Sequence, residues 1–178
     1  MTVGLVISGA VPWVRGLFLI PAQIIGGIVA AALVSCMLPG PLAVITTLAA
    51  GTSIAQGVFI EMFLTTLLVF VILMLAAEKH QATFIAPIGI GLALFVAELA
   101  GVYFTGGSLN PARSLGPSVV AKSFPRYHWI YWLGPLMGGL VAGGYYRWIK
   151  WMDYQEVNPG QDARSEREKT RTQSELGV

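Results

Sequence analysis

The residues best suited to bind a small polar molecule lie in one short segment, TGGSLNPARSLGP, at positions 105–117. Asn110 is a preferred N-cap and Pro111 suits the first helical position, so a helix is expected from Pro111 to about residue 121. Arg113 then lies in the first turn, where the helix dipole already concentrates positive partial charge. These groups together would repel cations, while the amide hydrogens of Asn110 could bind a passing oxygen atom.

The rest of the chain indicates that a membrane surrounds this segment. Of the 178 residues, 55% are hydrophobic and 11% are charged, whereas soluble domains usually carry about 25% charged residues. Four apolar segments of roughly 20 residues could each cross about 30 Å of hydrocarbon as a helix. They are Gly16 to Leu38, Gln56 to Ala77, Thr83 to Phe104, and His128 to Ile149. The sequence therefore predicts four transmembrane helices.

The helix expected after Asn110 is too short to span the membrane. At roughly 16 Å it would cover about half of the hydrocarbon thickness, as a re-entrant helix does. Gly106 and Gly107 would let the entering loop turn tightly. Taken alone, Asn-Pro-Ala would indicate only a capped surface helix. Arg113 favours a water-filled pathway, because an arginine in a membrane segment costs at least about 2.5 kcal/mol without water or a partner.

The chain also contains a weak, ungapped internal repeat that pairs Met1 with Arg113. In this register Gly4 meets Gly116, and Gly26-Gly27 meets Gly138-Gly139. Such repeats are common in transport proteins, whose functional site lies where the two halves meet. The counterpart of residues 110–112 would lie just before Met1.

Small residues at four-residue spacing predict close contacts between the helices, because helices in lipid associate through tight packing. The pairs are Gly26 with Ala30, Gly89 with Ala93, Ala97 with Gly101, and Gly139 with Gly143.

Basic residues near the ends of the spans predict the orientation. Arg15, Lys79, Arg147 and Lys150 fall on one side, and the loop 39–55 on the other side has no charge. Lys122 and Arg126 also fall on that other side. They reduce the excess of basic residues on the first side but do not reverse it. The C-terminus is therefore expected in the cytoplasm. Residues 153–178 are polar and mixed in charge, which predicts a disordered cytosolic tail after a membrane domain at 1–152.

Two stretches of the chain resemble a known family. TGGSLNPARSLGP followed by HWIYWLGPLMGG closely resembles the second half of aquaporins, the major intrinsic proteins, and GAVPWVRGLFLIPAQIIGGIVAA resembles their third span with the end of the first half-helix. The resemblance covers residues 1–150. It implies an all-α membrane protein with an aquaporin-like bundle, here four transmembrane helices, one complete re-entrant half-helix and the end of another. The family's first two spans and first Asn-Pro-Ala motif are missing.

The resemblance also assigns the site. It implies that the motif Asn110-Pro111-Ala112 lines a pore, and that Arg113 and Gly107 occupy two of the four positions of a narrow filter. Glu98 falls on the third position, where water channels often have histidine, and it could either pair with Arg113 or turn away from the pore. Glu61 matches a buried glutamate that holds the re-entrant loop by accepting its backbone hydrogens.

The function implied by the resemblance is passive passage of water, with exclusion of cations and protons at residues 110–113. Ser114, where another branch has aspartate, resembles the water-selective branch. Glycerol or another small neutral solute is an alternative, because Gly107 is small. A further alternative is a truncated, non-conducting chain that associates with full-length subunits. The expected environment is membrane lipid, most simply the plasma membrane, in a homotetramer or a hetero-oligomer with full-length subunits.

Several other functions are excluded by the sequence. Cys36 is the single cysteine, and no Cys/His spacing resembles a metal site. There is no nucleophile with a base, no pair of carboxylates on one face and no cofactor loop, so neither an enzyme nor a cofactor is expected. The net charge of +2, without a basic run among aromatics, argues against binding to nucleic acid.

Overall fold

The computed structural model describes residues 1–78 and 81–152, which are almost entirely helical. The predicted tail at 153–178 and Lys79 lie outside the described residues. A π-helix, Leu73–Ala77, extends α3, and a 3-10 helix, Gln81–Ile85, precedes α4. The α-helices are α1 Thr2–Ser8, α2 Trp13–Met37, α3 Ile54–Ile72, α4 Ala86–Thr105, α5 Pro111–Val120 and α6 Ile130–Trp151.

All four predicted spans are helices, and three of them are long and apolar enough to cross a membrane. These three are Trp13–Met37, Ile54–Ala77 and Thr83–Thr105. The fourth, α6, has 22 residues and therefore sufficient length. The mean hydropathy of α6 is lowered by its glycines, its aromatic residues and two basic residues. Among the described residues, α6 is therefore not one of the helices that length and composition identify as membrane spans.

The internal repeat appears in the structure as two crossed pairs of helices. The short helix α1 packs against α6, and α5 packs against α2, so each half-helix contacts the long helix of the other repeat. At one crossing, a Cβ atom on Gly27 would lie 2.8 Å from the carbonyl oxygen of Ala112. At the other, a Cβ atom on Gly4 would lie 3.1 Å from the carbonyl oxygen of Gly139. Gly27 and Gly139 are equivalent in the repeat, so the same kind of close approach occurs twice.

Helix α3 lies between α4 and α6 and forms the centre of the bundle. A Cβ atom on Gly138 would lie 2.5 Å from the carbonyl oxygen of Met62, so α6 approaches α3 at backbone distance. Ala97 is fully buried in the contact between α3 and α4.

One of the predicted small-residue pairs does not mark a contact within the described residues. A Cβ atom on Gly26 would have no other atom within 4 Å, and both Gly26 and Ala30 are exposed. The adjacent residue, Gly27, contacts α5 instead. The four-residue spacing correctly predicted that one face of α2 is packed. The packed face contains Gly27, however, and not Gly26.

Candidate functional site

Helix α5 begins at Pro111 because Asn110 caps it, as the sequence predicts. Asn110 has extended backbone angles, φ −153° and ψ 116°. Its side-chain oxygen accepts a hydrogen bond from the backbone N–H of Ala112 at 3.0 Å. The Asn110 side chain is exposed, and its amide nitrogen donates no hydrogen bond within the described residues. The cap therefore uses the oxygen and leaves both amide hydrogens available.

A cavity of about 130 Å³ lies directly beside Asn110, Pro111 and Ala112. A buried water needs about 10–15 Å³ of such space, so the cavity can hold several small polar molecules. Met1 and Thr2 also line it, together with residues of α2 and α6. The two halves of the repeat therefore meet beside the motif at residues 110–112.

Arg113, in the first turn of α5, is exposed, and its side chain makes one hydrogen bond within the described residues. Its Nη1 donates to the carbonyl oxygen of Val44, in the loop between α2 and α3, at 2.7 Å. An arginine side chain has five N–H donors in a fixed planar arrangement. The remaining donors are therefore available for hydrogen bonds to other groups.

Glu61, on α3, holds the loop that leads into α5. The side chain is fully buried. One carboxylate oxygen accepts from the hydroxyl of Thr105 at 2.7 Å and from the N–H of Ser108 at 2.9 Å. The other accepts from the N–H of Leu109 at 2.8 Å. Leu109 has φ +50°, a conformation that is unfavourable for a residue with a side chain, and Glu61 binds the loop at this point.

Gly107 and Glu98 lie against each other on the loop side of α4. Gly107 has φ +58°, and a side chain there would collide with the Glu98 carboxylate. Glu98 is partly exposed, and within the described residues it has no hydrogen bond and no ion pair with Arg113 at 4.0 Å or less. Glu98 therefore lies against Gly107 and forms no direct pair with Arg113, the first of the two alternatives left open by the sequence.

A chain of buried hydroxyl groups beside Arg113 was not found by sequence reasoning. Thr46 donates to Ser114 at 2.7 Å, and Ser114 donates to Ser108 at 2.6 Å. Ser108 in turn donates to the carbonyl oxygen of Asn110 at 3.1 Å. In the sequence, Ser114 is recognisable only as the residue that distinguishes two branches of the family. Thr46 gave no signal, because it lies in an uncharged loop, 68 residues from its partner.

The comparisons with known proteins agree with this architecture. A profile of the family described as Major intrinsic protein matches residues 1–146, and the chain belongs to that family. It is an integral membrane protein of the aquaporin type of fold.

Among its relatives is Aquaporin-7 of Botryotinia fuckeliana, which is 65% identical over 163 residues that cover 92% of this chain and 36% of the relative. Probable aquaporin-3 of Gibberella zeae is 59% identical over 164 residues, covering 92% of this chain and 57% of the relative. The chain thus spans only part of the length of the relatives that it matches.

A solved structure supports the fold. The X-ray structure of the aquaglyceroporin from Plasmodium falciparum superposes with a TM-score of 0.66 at 19% sequence identity. The match covers 82% of this chain and 68% of the other. At this identity the similarity concerns the fold alone.

Proposed function

We propose that the chain is a subunit of a channel that lets water cross a membrane passively. The observation that carries this proposal is the exposed guanidinium of Arg113, which has one hydrogen bond to the Val44 carbonyl and further donors available. An exposed arginine at the start of a half-length helix is costly in lipid but favourable beside water. Asn110, three residues earlier, presents available amide hydrogens at the same end of the chain's re-entrant helix.

In the proposed mechanism, water passes Arg113 and then Asn110 without any chemical step. Each water oxygen accepts hydrogen bonds first from the guanidinium and then from the amide of Asn110. The N-terminal end of α5 has partial positive charge, which adds to that of Arg113 and repels cations and protons. Such passage needs no cofactor, and the protein would act as a channel and not as an enzyme.

A second candidate permeant is glycerol or another small neutral solute. Gly107 favours it, because a glycine at the constriction has no side chain to narrow the passage. Glu98, which lies against Gly107, would then supply a carboxylate that accepts hydrogen bonds from solute hydroxyl groups. Water and glycerol differ in the donors and acceptors that they present, so the two permeants can be compared on the same protein.

The proposed orientation puts the C-terminal end of α6 at the cytoplasmic side. Arg147 donates to the carbonyl oxygen of Ile7 at the end of α1 at 3.5 Å, and Lys150 pairs with Glu78 at 2.9 Å after α3. The ends of these three helices therefore lie together, and Arg15 follows α1 closely in the chain. The positive-inside rule favours the cytoplasm for such a cluster, and the plasma membrane is the membrane proposed.

The proposed assembly is a homotetramer, or an oligomer with longer members of the family. The exposed face of α2 that carries Gly26 and Ala30 supports it, because small residues at this spacing allow close helix contacts. Chemical cross-linking in native membranes followed by mass spectrometry tests the assembly. Cross-linked species at multiples of the protein's own mass indicate a homo-oligomer, whereas cross-links to longer relatives indicate a mixed one.

The permeation test is stopped-flow light scattering on liposomes that contain the complete native protein. A rise in osmotic water permeability over empty liposomes, without a matching rise in proton leak, is the expected result. A rise in glycerol uptake with little change in water flux would favour the second candidate. Permeabilities equal to those of empty liposomes for both molecules would contradict the channel proposal.

A further inference from the structure

The loop between α2 and α3 supplies the carbonyl group that binds Arg113, although this loop has no charged residue and little regular structure. Its backbone is joined to the end of α4, where the N–H of Ala49 donates to the carbonyl oxygen of Phe104 at 2.9 Å. That bond lies five residues beyond Val44. A closer attachment is needed to fix the Val44 carbonyl, and Thr46 provides one.

Thr46 is fully buried, and its hydroxyl donates to the hydroxyl of Ser114, which is also fully buried. Ser114 donates onward to Ser108, whose side chain is buried as well. Burying a hydroxyl without a partner is unfavourable, and here each hydroxyl donates to the next. The hydrogen-bonded hydroxyls thus connect the loop between α2 and α3 to the first turn of α5.

These hydrogen bonds, with the backbone that joins them, form a closed ring that includes Arg113. The Arg113 side chain binds the carbonyl of Val44, and Val44 is two residues from Thr46. Thr46 binds the side chain of Ser114, which directly follows Arg113 in the chain. Opening the ring at the Thr46–Ser114 bond removes the side-chain hydrogen bond nearest to Val44. The remaining attachments of this part of the loop are the packing of Thr46 against Gly106 and the hydrogen bond from the Leu48 N–H to the Tyr127 hydroxyl at 3.3 Å, so the acceptor of the guanidinium is held less firmly.

We propose that Thr46 and Ser114 are positioning residues that set the selectivity of the constriction by holding Arg113 through Val44. This inference rests on the proposed channel function for its effect on permeation. Its structural part, the immobilisation of Arg113, does not depend on that function. Without the hydroxyl pair, the guanidinium moves more freely, the passage widens on average, and larger neutral solutes cross more readily.

The variants that test this inference are Thr46→Val and Ser114→Ala, which remove one hydroxyl each with little change in shape. Thr46→Ser restores the hydroxyl and serves as the rescue. Ser118→Ala is the matched control, because Ser118 lies one turn further along α5, is fully buried, and its hydroxyl has no partner within the described residues. All variants are made in the complete native protein and compared at equal folded yield.

The first measurement is the rate at which phenylglyoxal modifies Arg113, followed by peptide mass spectrometry. This reagent needs an accessible guanidinium, and the readout does not require conduction. Loss of one hydrogen bond worth about 0.5–1.5 kcal/mol predicts a modification rate about twofold to thirteenfold higher in Thr46→Val and Ser114→Ala. Thr46→Ser and Ser118→Ala are expected to match the wild type.

The second measurement is the ratio of glycerol permeability to water permeability in liposomes, which should rise by a similar factor in the same two variants. Equal modification rates in Thr46→Val, Ser118→Ala and the wild type would overturn the inference. A wild type that conducts neither molecule would contradict the channel function instead, and the modification rates would still decide the positioning role. Raised modification rates with an unchanged permeability ratio would overturn the role in selectivity.

Discussion

Two glutamates on neighbouring helices, Glu61 on α3 and Glu98 on α4, have opposite surroundings in this molecule. Glu61 is fully buried and accepts hydrogen bonds from one hydroxyl and two backbone N–H groups. Glu98 is partly exposed and accepts no hydrogen bond within the described residues. The supply of donors distinguishes them, and a carboxylate in a membrane segment needs either donors or water. Glu61 therefore belongs to the framework of the loop, and Glu98 faces the space beside Gly107.

The largest expected effect is on stability, in Glu61→Ala. This change leaves the N–H groups of Ser108 and Leu109 buried without an acceptor. Because each such group costs about 1–3 kcal/mol, the free energy of unfolding should fall by about 2–6 kcal/mol. Unfolding in mixed micelles, followed by circular dichroism, measures the loss. Glu98→Ala is the matched control, with an expected change below about 1 kcal/mol. Equal losses in the two variants would remove the distinction between the glutamates.

A smaller effect on stability is expected from Gly107→Ala, which tests where the Glu98 carboxylate lies. The new methyl group would collide with that carboxylate and would also be strained at φ +58°. The expected cost is about 2–3 kcal/mol, from overpacking and the left-handed backbone together. Adding Glu98→Ala should recover about 1 kcal/mol of this cost, because neighbouring residues couple in double-mutant cycles.

The control for that cycle is Gly106→Ala. Gly106 also has a positive φ, +79°, but a side chain there would meet the backbone of Thr46, 3.0 Å from its Cα atom, rather than Glu98. In the double variant, the losses of unfolding free energy caused by Gly106→Ala and by Glu98→Ala should simply add. Coupling of the same size at Gly106 and Gly107 would show that Glu98 acts at a distance and not by contact with Gly107.

The smallest expected effect is that of Glu98→Gln on ion exclusion. This variant keeps the shape of the side chain and removes its negative charge, so the constriction becomes more positive. The residual proton leak through liposomes should fall about twofold to threefold, with no measurable loss of stability. A pH-sensitive dye inside the liposomes reports the leak. An increase in the leak would contradict a position of Glu98 near the permeation path.

The sequence predicted the parts of this structure that depend on local chemistry. Asn110-Pro111 defined the start of α5, and runs of apolar residues defined the four long helices. The repeat register was also informative, because α1 ends at Ser8 and α5 ends at its equivalent, Val120. Each of these signals comes from residues that are close together in the chain.

The parts that sequence reasoning missed depend on contacts between distant segments. Neither the Val44 carbonyl nor the Thr46 hydroxyl has any feature in the sequence that connects it with α5, since both belong to an irregular loop. The packed face of α2 was displaced by one residue, from Gly26 to Gly27, because spacing gives the period of a helix but not its rotation about its axis. The position of Glu98 beside Gly107 is a contact between a side chain of α4 and the loop that follows α4, and the residue types alone do not specify it.

The central claim is that the exposed charge of Arg113 acts on the permeating molecule, and Arg113→Ala tests it most directly. Glycerol permeability, water permeability and proton leak are measured in liposomes that contain the complete native protein or this variant. Loss of a unit charge about 4 Å from the path removes about 1 kcal/mol of the barrier to a proton, so the proton leak should rise about fivefold relative to water permeability. Glycerol permeability should rise relative to water permeability as well, because the shorter side chain widens the passage. Ratios equal to those of the wild type would contradict the claim.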